Sequence, residues 1–164
     1  MNLADDLLAR NRAYAEKLFR GPRPLNPRRA LAVVACMDSR MDMFAVLGLD
    51  NGDAHVLRNA GGVVTDDVIR SLAISQRLLG TTGIVLVHHT DCGMQKLTDD
   101  GFRDELESAT GMAPSFAIES FRDPYEHVGQ SIARLRHSPF LTHKNDIVGF
   151  VYDVETGLLR LFEG

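Results

Sequence analysis

Apolar residues follow a helical spacing at the start of the chain and form continuous runs further along. Near the amino terminus they recur about once per helical turn, which predicts a helix over residues 3–20 that ends before Gly21 and Pro22. Residues 30–36 are an unbroken apolar run, typical of a strand buried on both faces of a parallel sheet. Shorter runs predict four more strands, at residues 54–57, 83–88, 147–153 and 158–162.

Helical patterns separate several of these runs and carry their own start and stop signals. Thr65 is suited to cap a helix that Gly80 ends, and the Asp123-Pro124 pair suits the start of another helix. Residues 93–122 give no firm assignment beyond a short helical stretch in their middle. Two interpretations of this segment are open, a lid and an interface segment.

The alternation of strands and helices predicts an α/β fold in a single domain over residues 1–164, with residues 1–22 as an N-terminal helical arm. A short helix is predicted at residues 41–47. Right-handed crossovers then favour a mainly parallel four-stranded sheet in the order 2-1-3-4, flanked by helices. Residues 155–157 predict a hairpin turn, which adds the last strand as an antiparallel edge.

Charge and hydropathy exclude several classes of partner. The 164 residues carry 18 basic and 22 acidic side chains, a formal net charge of −4, with no basic run that would attract a phosphate backbone. The apolar runs are far shorter than the roughly 18 residues that a membrane span needs, and charges interrupt the apolar pattern at the amino terminus. We therefore expect a cytoplasmic protein that binds neither nucleic acid nor membrane.

Both cysteines and one histidine lie where predicted strands end. Cys36 ends strand one, and His89 and Cys92 follow strand three. If these strands are parallel neighbours, their carboxyl ends meet at the point where the strand order reverses, where ligands collect. Two thiolates and an imidazole form a three-ligand zinc set that leaves the fourth tetrahedral position to water. The competing interpretation is two buried cysteines and an unrelated histidine.

A carboxylate and a guanidinium, Asp38 and Arg40, closely follow Cys36. An aspartate near a zinc-bound water can accept its proton in a hydrogen bond, and a bidentate arginine can fix that carboxylate. Two other roles are open. Asp38 can itself occupy the fourth coordination position, or the two residues can be an ordinary solvated pair.

Three segments together resemble the hallmark segments of the β-class carbonic anhydrases. They are Cys36-x-Asp38-Ser39-Arg40, Arg58-Asn59-Ala60-Gly61-Gly62 and His89-x-x-Cys92-Gly93, where x is any residue. The likeness extends from about residue 30 to the last strand, and the short chain is similar to the compact bacterial and archaeal branch of that family.

The resemblance implies an enzyme that reversibly hydrates carbon dioxide to bicarbonate and a proton, by attack of zinc-bound hydroxide. It also implies a homodimer or a multiple of dimers, with the N-terminal helix packed on the partner subunit. The implied site residues are the Zn²⁺ ligands Cys36, His89 and Cys92 and the dyad of Asp38 and Arg40.

Other possible site residues are glycines and histidines. Backbone amides at Gly61 and Gly62 can bind the anionic product or simply form a tight turn, and both interpretations are open. Strand alternation points His88 away from His89, so we assign the metal to His89. Because imidazole titrates near neutrality, the remaining histidines are candidate proton shuttles: His55, His88, His127, His137 and His143.

Two further functions are open. A carbonyl sulfide or carbon disulfide hydrolase on the same scaffold would use the same motifs, and only the shape and polarity of its pocket would differ. A non-catalytic, zinc-stabilised binding domain would need a closed metal site and would leave Asp38 and Arg40 without a role.

Overall fold

The computed structural model describes residues 2–164, and within them the chain forms five α-helices and five strands. The helices are α1 (Leu3–Lys17), α2 (Met43–Leu47), α3 (Asp66–Leu79), α4 (Asp99–Thr110) and α5 (Pro124–His137). The strands are β1 (Leu31–Cys36), β2 (Ala54–Asn59), β3 (Gly83–His89), β4 (Ile147–Tyr152) and β5 (Leu159–Leu161).

The strands form one sheet in the order β2-β1-β3-β4-β5. The first four are parallel and β5 pairs with β4 in the antiparallel direction, so the predicted order and edge strand are confirmed. Every residue of β3 is buried, as the continuous apolar run predicts for a central strand. Strand β1 lies between β2 and β3 and pairs along its length with both.

A separate apolar cluster covers each face of the sheet. Alternate residues of β1 point to opposite faces, so Val34 joins one cluster and Val33 the other. Helices α3 and α5 pack on the Val34 face, with Leu72, Val128 and Leu135 in the cluster. Helix α2 and residues that follow β3 cover the Val33 face, which is also the face that contains Cys36 and Cys92.

The strand ends differ from the predicted ones by one or two residues. Strand β1 begins at Leu31 because Ala30 has a φ of 50°, outside the extended region. Strand β2 continues past the predicted end at residue 57 to Asn59, which pairs with Cys36. Strand β3 includes His89, whose partner in β4 is Tyr152. Strands β4 and β5 are shorter than predicted, at Ile147–Tyr152 and Leu159–Leu161, and residues 153–158 form the hairpin connection between them.

The capping signals are confirmed for two helices. Thr65 accepts a hydrogen bond from Val68 N, and Gly80 ends α3 in the left-handed conformation with a φ of 74°. Asp123 caps α5, with Pro124 at the first helical position. Helix α2 begins at Met43 and not at residue 41, because the side chain of Asp42 caps its first turn. The stretch in the middle of the unassigned segment is the three-turn helix α4.

Helix α1 ends at Lys17, three residues earlier than predicted. Within residues 2–164, no contact buries any residue of this helix. Its apolar stripe is therefore exposed, including Leu3, Leu7, Leu8 and Tyr14. No helix in the described part of the chain has both the length and the apolar character to cross a membrane.

Candidate metal centre

The three predicted metal ligands converge at one end of the sheet. Cys36 is the last residue of β1 and His89 the last of β3, and these strands are parallel neighbours whose carboxyl ends meet. A tight turn after β3 returns Cys92 to the same point. The two sulfurs and one imidazole nitrogen lie within 4.8 Å of one another, and all three residues are buried.

The geometry of these atoms fits a zinc ion. The Sγ atoms of Cys36 and Cys92 are 3.9 Å apart. Two sulfurs at tetrahedral angles, each about 2.3 Å from zinc, would be about 3.8 Å apart. His89 Nδ1 lies 2.8 Å from the Thr90 carbonyl oxygen, which can only accept, so Nδ1 carries the proton and Nε2 offers a lone pair. That Nε2 is buried and has no hydrogen-bond partner in residues 2–164.

The Cys36 and Cys92 sulfurs form a hydrogen bond with each other. Donation from Cys92 to Cys36 lowers the pKa of the Cys36 thiol and raises that of Cys92. The His89 imidazole and the backbone of Asp38 and Gly61 lower the pKa of the Cys36 thiol further. The site therefore favours thiolate at Cys36, and thiolate is the form that binds metal.

Asp38 and Arg40 form a bidentate pair beside the ligands. Arg40 Nε donates to Asp38 Oδ1 at 3.0 Å, and Arg40 Nη2 donates to Asp38 Oδ2 at 2.7 Å. These hydrogen bonds hold the pKa of the Asp38 carboxyl well below its usual range. Asp38 Oδ2 is also 3.7 Å from His89 Nε2. Both carboxylate oxygens thus bond to the guanidinium, at the edge of the candidate metal centre.

Arg58 holds the loop that carries this pair, a role that was not predicted. Its guanidinium donates to three carbonyl oxygens, those of Cys36, Asp38 and Met41, at 2.9, 2.6 and 2.9 Å. The planar guanidinium group thereby fixes the backbone of the loop that follows β1. In the sequence, Arg58 was noted only as the first residue of the segment at residues 58–62, without a role of its own.

Gly61 and Gly62 form the tight turn that the sequence left as one of two interpretations. Both have left-handed backbone, with φ of 80° and 66°. A Cβ built on Gly62 would lie 2.8 Å from Cys36 N, so the close approach of this turn to β1 requires glycine.

An apolar cavity of about 550 Å³ opens beside the two cysteines. Asp38 and Gly61 lie at its metal side, and the wall opposite comes from residues 93–122, the segment that the sequence left unassigned. Gln95 ties this segment to the ligand turn, since its side chain accepts from Cys92 N and donates to Arg122 O. The apolar wall residues from the segment are Met94, Leu97, Phe102, Phe116, Ala117 and Ile118.

His88 points away from the metal centre, as strand alternation predicts. Its Nε2 lies 2.7 Å from His127 Nδ1, and Phe121 stacks on the His127 ring. Burial lowers the pKa of His88 to about 3, so it is neutral at pH 7. Of the other candidate shuttles, His55 contacts Ser75 and His137 contacts a carbonyl of its own helix, and neither lines the cavity.

Comparison with known proteins gives consistent matches. A family model described as carbonic anhydrase matches residues 31–159. The chain is 54% identical to Beta-carbonic anhydrase 1 of Mycobacterium tuberculosis (strain ATCC 25618 / H37Rv), over 98% of each protein. It is 34% identical to a carbon disulfide hydrolase of Acidianus sp. (strain A1-3), over 95% of this chain and 87% of that protein. Its fold matches a crystal structure of carbonic anhydrase from Streptococcus mutans with a TM-score of 0.92 and 43% identity, over 99% of both chains.

Proposed function

The chain belongs to the carbonic anhydrase family, and from this premise we propose that it reversibly hydrates carbon dioxide to bicarbonate and a proton. We propose that the metal is zinc, held by Cys36, His89 and Cys92. The observation that carries the proposal is the convergence of two thiols and one imidazole nitrogen, beside an ionised carboxylate and an apolar cavity.

The ligand residues present their donor atoms in the form that zinc requires. Zinc, when bound, lowers the pKa of a water ligand from about 15.7 to about 7 and so supplies hydroxide at neutral pH. Cys36 and Cys92 neutralise the charge of the ion as thiolates, and the bond from His89 Nδ1 to Thr90 fixes the imidazole orientation. The apolar cavity accepts an uncharged substrate such as carbon dioxide.

Asp38 and Arg40 orient the nucleophile in this proposal. Because Arg40 lowers the pKa of Asp38, the carboxylate is ionised at neutral pH and can only accept hydrogen bonds. We assign Asp38 the task of accepting a hydrogen bond from the attacking hydroxyl, which turns the oxygen lone pair towards the substrate carbon. Arg40 fixes the plane of that carboxylate. Binding of the anionic product by the Gly61 and Gly62 amides stays a prediction.

The test is zinc content together with carbon dioxide hydration by stopped flow, for the wild type and Cys36→Ser. A serine hydroxyl is a poor zinc ligand, so we expect Cys36→Ser to purify with little zinc and without activity. The wild type, stripped of metal by a chelator and reloaded with zinc, is the control and should regain its activity. A fully active Cys36→Ser protein would exclude the proposed site. A stripped wild type that keeps full activity would exclude zinc.

Carbon disulfide is the second candidate substrate, favoured by the relative that is named a carbon disulfide hydrolase. The zinc-loaded protein is incubated with carbon disulfide or carbonyl sulfide, and released hydrogen sulfide is measured. Release that is slow compared with bicarbonate formation identifies a carbonic anhydrase, and the reverse ratio identifies a hydrolase. Activity on any of these substrates also excludes the non-catalytic binding domain.

We further propose that the protein is a cytoplasmic homodimer, or a multiple of dimers. A reducing compartment keeps Cys36 and Cys92 available as thiolates, which supports the cytoplasm. The exposed apolar stripe of α1 supports a second copy of the chain as the partner, because monomers rarely expose large contiguous apolar patches.

A further inference from the structure

Arg40 is held by a second carboxylate besides that of Asp38. Arg40 Nη1 donates to Asp91 Oδ2 at 3.0 Å, and Arg40 Nη2 donates to the Asp91 carbonyl oxygen, also at 3.0 Å. Lys96 Nζ lies 2.9 Å from the other oxygen, Asp91 Oδ1. Arg40 therefore joins the loop after β1 to the turn between His89 and Cys92, two segments that are 51 residues apart.

Asp91 occupies a backbone position where glycine would fit at least as well. Its φ is 51°, in the left-handed region that glycine adopts without steric cost. The turn that returns Cys92 to the metal centre thus does not need a carboxylate for its shape. The side chain of Asp91 is used in its contacts with Arg40 and Lys96.

A second anchor matters because Arg40 is exposed. Its side chain is 45% accessible, and exposed ion pairs between single partners hold long side chains weakly. Asp38 Oδ2 is the atom that Arg40 Nη2 binds, and it is also the atom 3.7 Å from His89 Nε2. If the guanidinium moves, the carboxylate nearest the metal ligands loses the group that restrains it.

We propose that Asp91 is a positioning residue, which anchors Arg40 and thereby keeps the Asp38 carboxylate on the guanidinium and out of the fourth coordination position. This inference rests on the proposed function and goes beyond it by naming the group that stabilises the open arrangement of Asp38. Asp91 acts through Arg40 and does not itself contact a metal ligand side chain.

The test uses Asp91→Asn, which keeps the size of the side chain and tolerates left-handed backbone but lacks the charge. The matched control is Asp67→Asn, which removes an aspartate paired with Arg70 at 2.8 Å on the exposed surface of α3. Zinc-loaded proteins are compared at equal zinc content. We expect kcat for carbon dioxide hydration to fall about tenfold or more in Asp91→Asn, and to stay unchanged in Asp67→Asn.

A double-mutant cycle separates positioning from general damage to the turn. In an Asp38→Asn background Arg40 has no carboxylate to position, so adding Asp91→Asn should change kcat by less than about twofold. A damaged turn would instead lower kcat by the same factor in both backgrounds. Equal losses in the two backgrounds would overturn the proposal.

A spectroscopic readout follows Arg40 directly. Solvent exchange of the Arg40 Nε–H is measured by ¹⁵N NMR, with the signal assigned by its loss in Arg40→Lys. We expect exchange about tenfold faster in Asp91→Asn and unchanged in Asp67→Asn, because loss of the Asp91 carboxylate lets the Arg40 side chain open more often. An unchanged exchange rate overturns the proposal. If the wild type does not hydrate carbon dioxide, the proposed function fails, and the exchange rate alone then decides whether Asp91 anchors Arg40.

Discussion

At the residue scale, the ligand sulfurs depend on a close approach between two backbone segments. The turn at Gly61 and Gly62 lies so near the end of β1 that a Cβ on Gly62 would meet Cys36 N at 2.8 Å and the Ala35 carbonyl carbon at 2.9 Å. Backbone cannot move aside as a flexible side chain can. Any side chain at Gly62 must therefore displace Cys36, and with it one of the three proposed zinc ligands.

We expect Gly62→Ala to lower both stability and zinc affinity. The left-handed φ of 66° alone costs an alanine about 1–2 kcal/mol, and the overlap with Cys36 adds roughly 1–3 kcal/mol more. Gly48→Ala is the matched control, since Gly48 has a φ of 61° and nothing within 4 Å of a built Cβ. Urea unfolding and zinc titration of both variants measure the difference. Equal losses in the two variants would show that backbone conformation, and not the contact with Cys36, limits this position.

The sequence predicted residues whose chemistry is unusual and missed those whose contacts are distant. Cys36, His89 and Cys92 could be proposed as ligands because few residue types bind zinc and strand ends of a parallel sheet meet. Arg58 and Asp91 could not, because arginine and aspartate are common on any surface. Their partners lie 17 to 22 and 51 residues away in the chain, so only the folded structure reveals the pairing.

At the element scale, Asp53 links the segment before β2 to the segment before β1 by hydrogen bonds and ion pairs. Its buried carboxylate accepts hydrogen bonds from Asp50 N and Arg28 Nε, both at 2.9 Å, and from Arg29 Nε at 3.3 Å. The Asp50 N–H and these arginines hold the pKa of Asp53 below its usual value. A carboxyl whose pKa is lower in the folded state stabilises the fold above its unfolded pKa, about 3.9, and that stabilisation disappears as the pH falls through the folded pKa.

We therefore expect Asp53→Asn to lower the melting temperature by several degrees at pH 7, and the difference from the wild type to shrink below about pH 4. Calorimetry of the metal-free proteins at several pH values measures this. The control is Asp67→Asn, because the Asp67–Arg70 pair is exposed and should contribute little at any pH. A difference that stays constant from pH 7 to pH 3 would contradict a role for the ionised carboxylate.

Helices and strands were predicted well where the apolar pattern is strong, and their limits were missed where few apolar residues mark them. Strand β3 is buried at every position, so its apolar run was unambiguous. Helix α4 has only two large apolar residues, Phe102 and Leu106, in twelve positions, which left its limits undefined. Polar residues also concealed the end of β2, because Arg58 and Asn59 extend the strand while their side chains bond to neighbouring loops.

At the scale of the whole molecule, the exposed apolar stripe of α1 has no partner surface within the described residues of one chain. Its apolar stripe predicted a surface to cover, yet no residue of the helix is buried. The exposed fractions of Leu3, Leu7, Leu8 and Tyr14 range from 42% to 75%. A helix that buries nothing gains little stability from packing, so in an isolated chain it would be held mainly by local hydrogen bonds such as the Asn2 cap.

We propose that this stripe binds a second copy of the chain. A glutamate placed either inside or outside the stripe tests this proposal. Leu7 lies in the stripe, whereas Ala9 lies about 200° around the helix axis from it. Glutamate at either position keeps the helix-forming character of α1. We expect Leu7→Glu to weaken the dimer at least about tenfold, as loss of one buried apolar anchor does, and Ala9→Glu to leave it unchanged. Sedimentation equilibrium measures the dissociation constants, and circular dichroism checks that both variants keep their helix content. A monomeric wild type, or equal dimerisation of the two variants, would mean that the stripe does not bind a second copy of this chain.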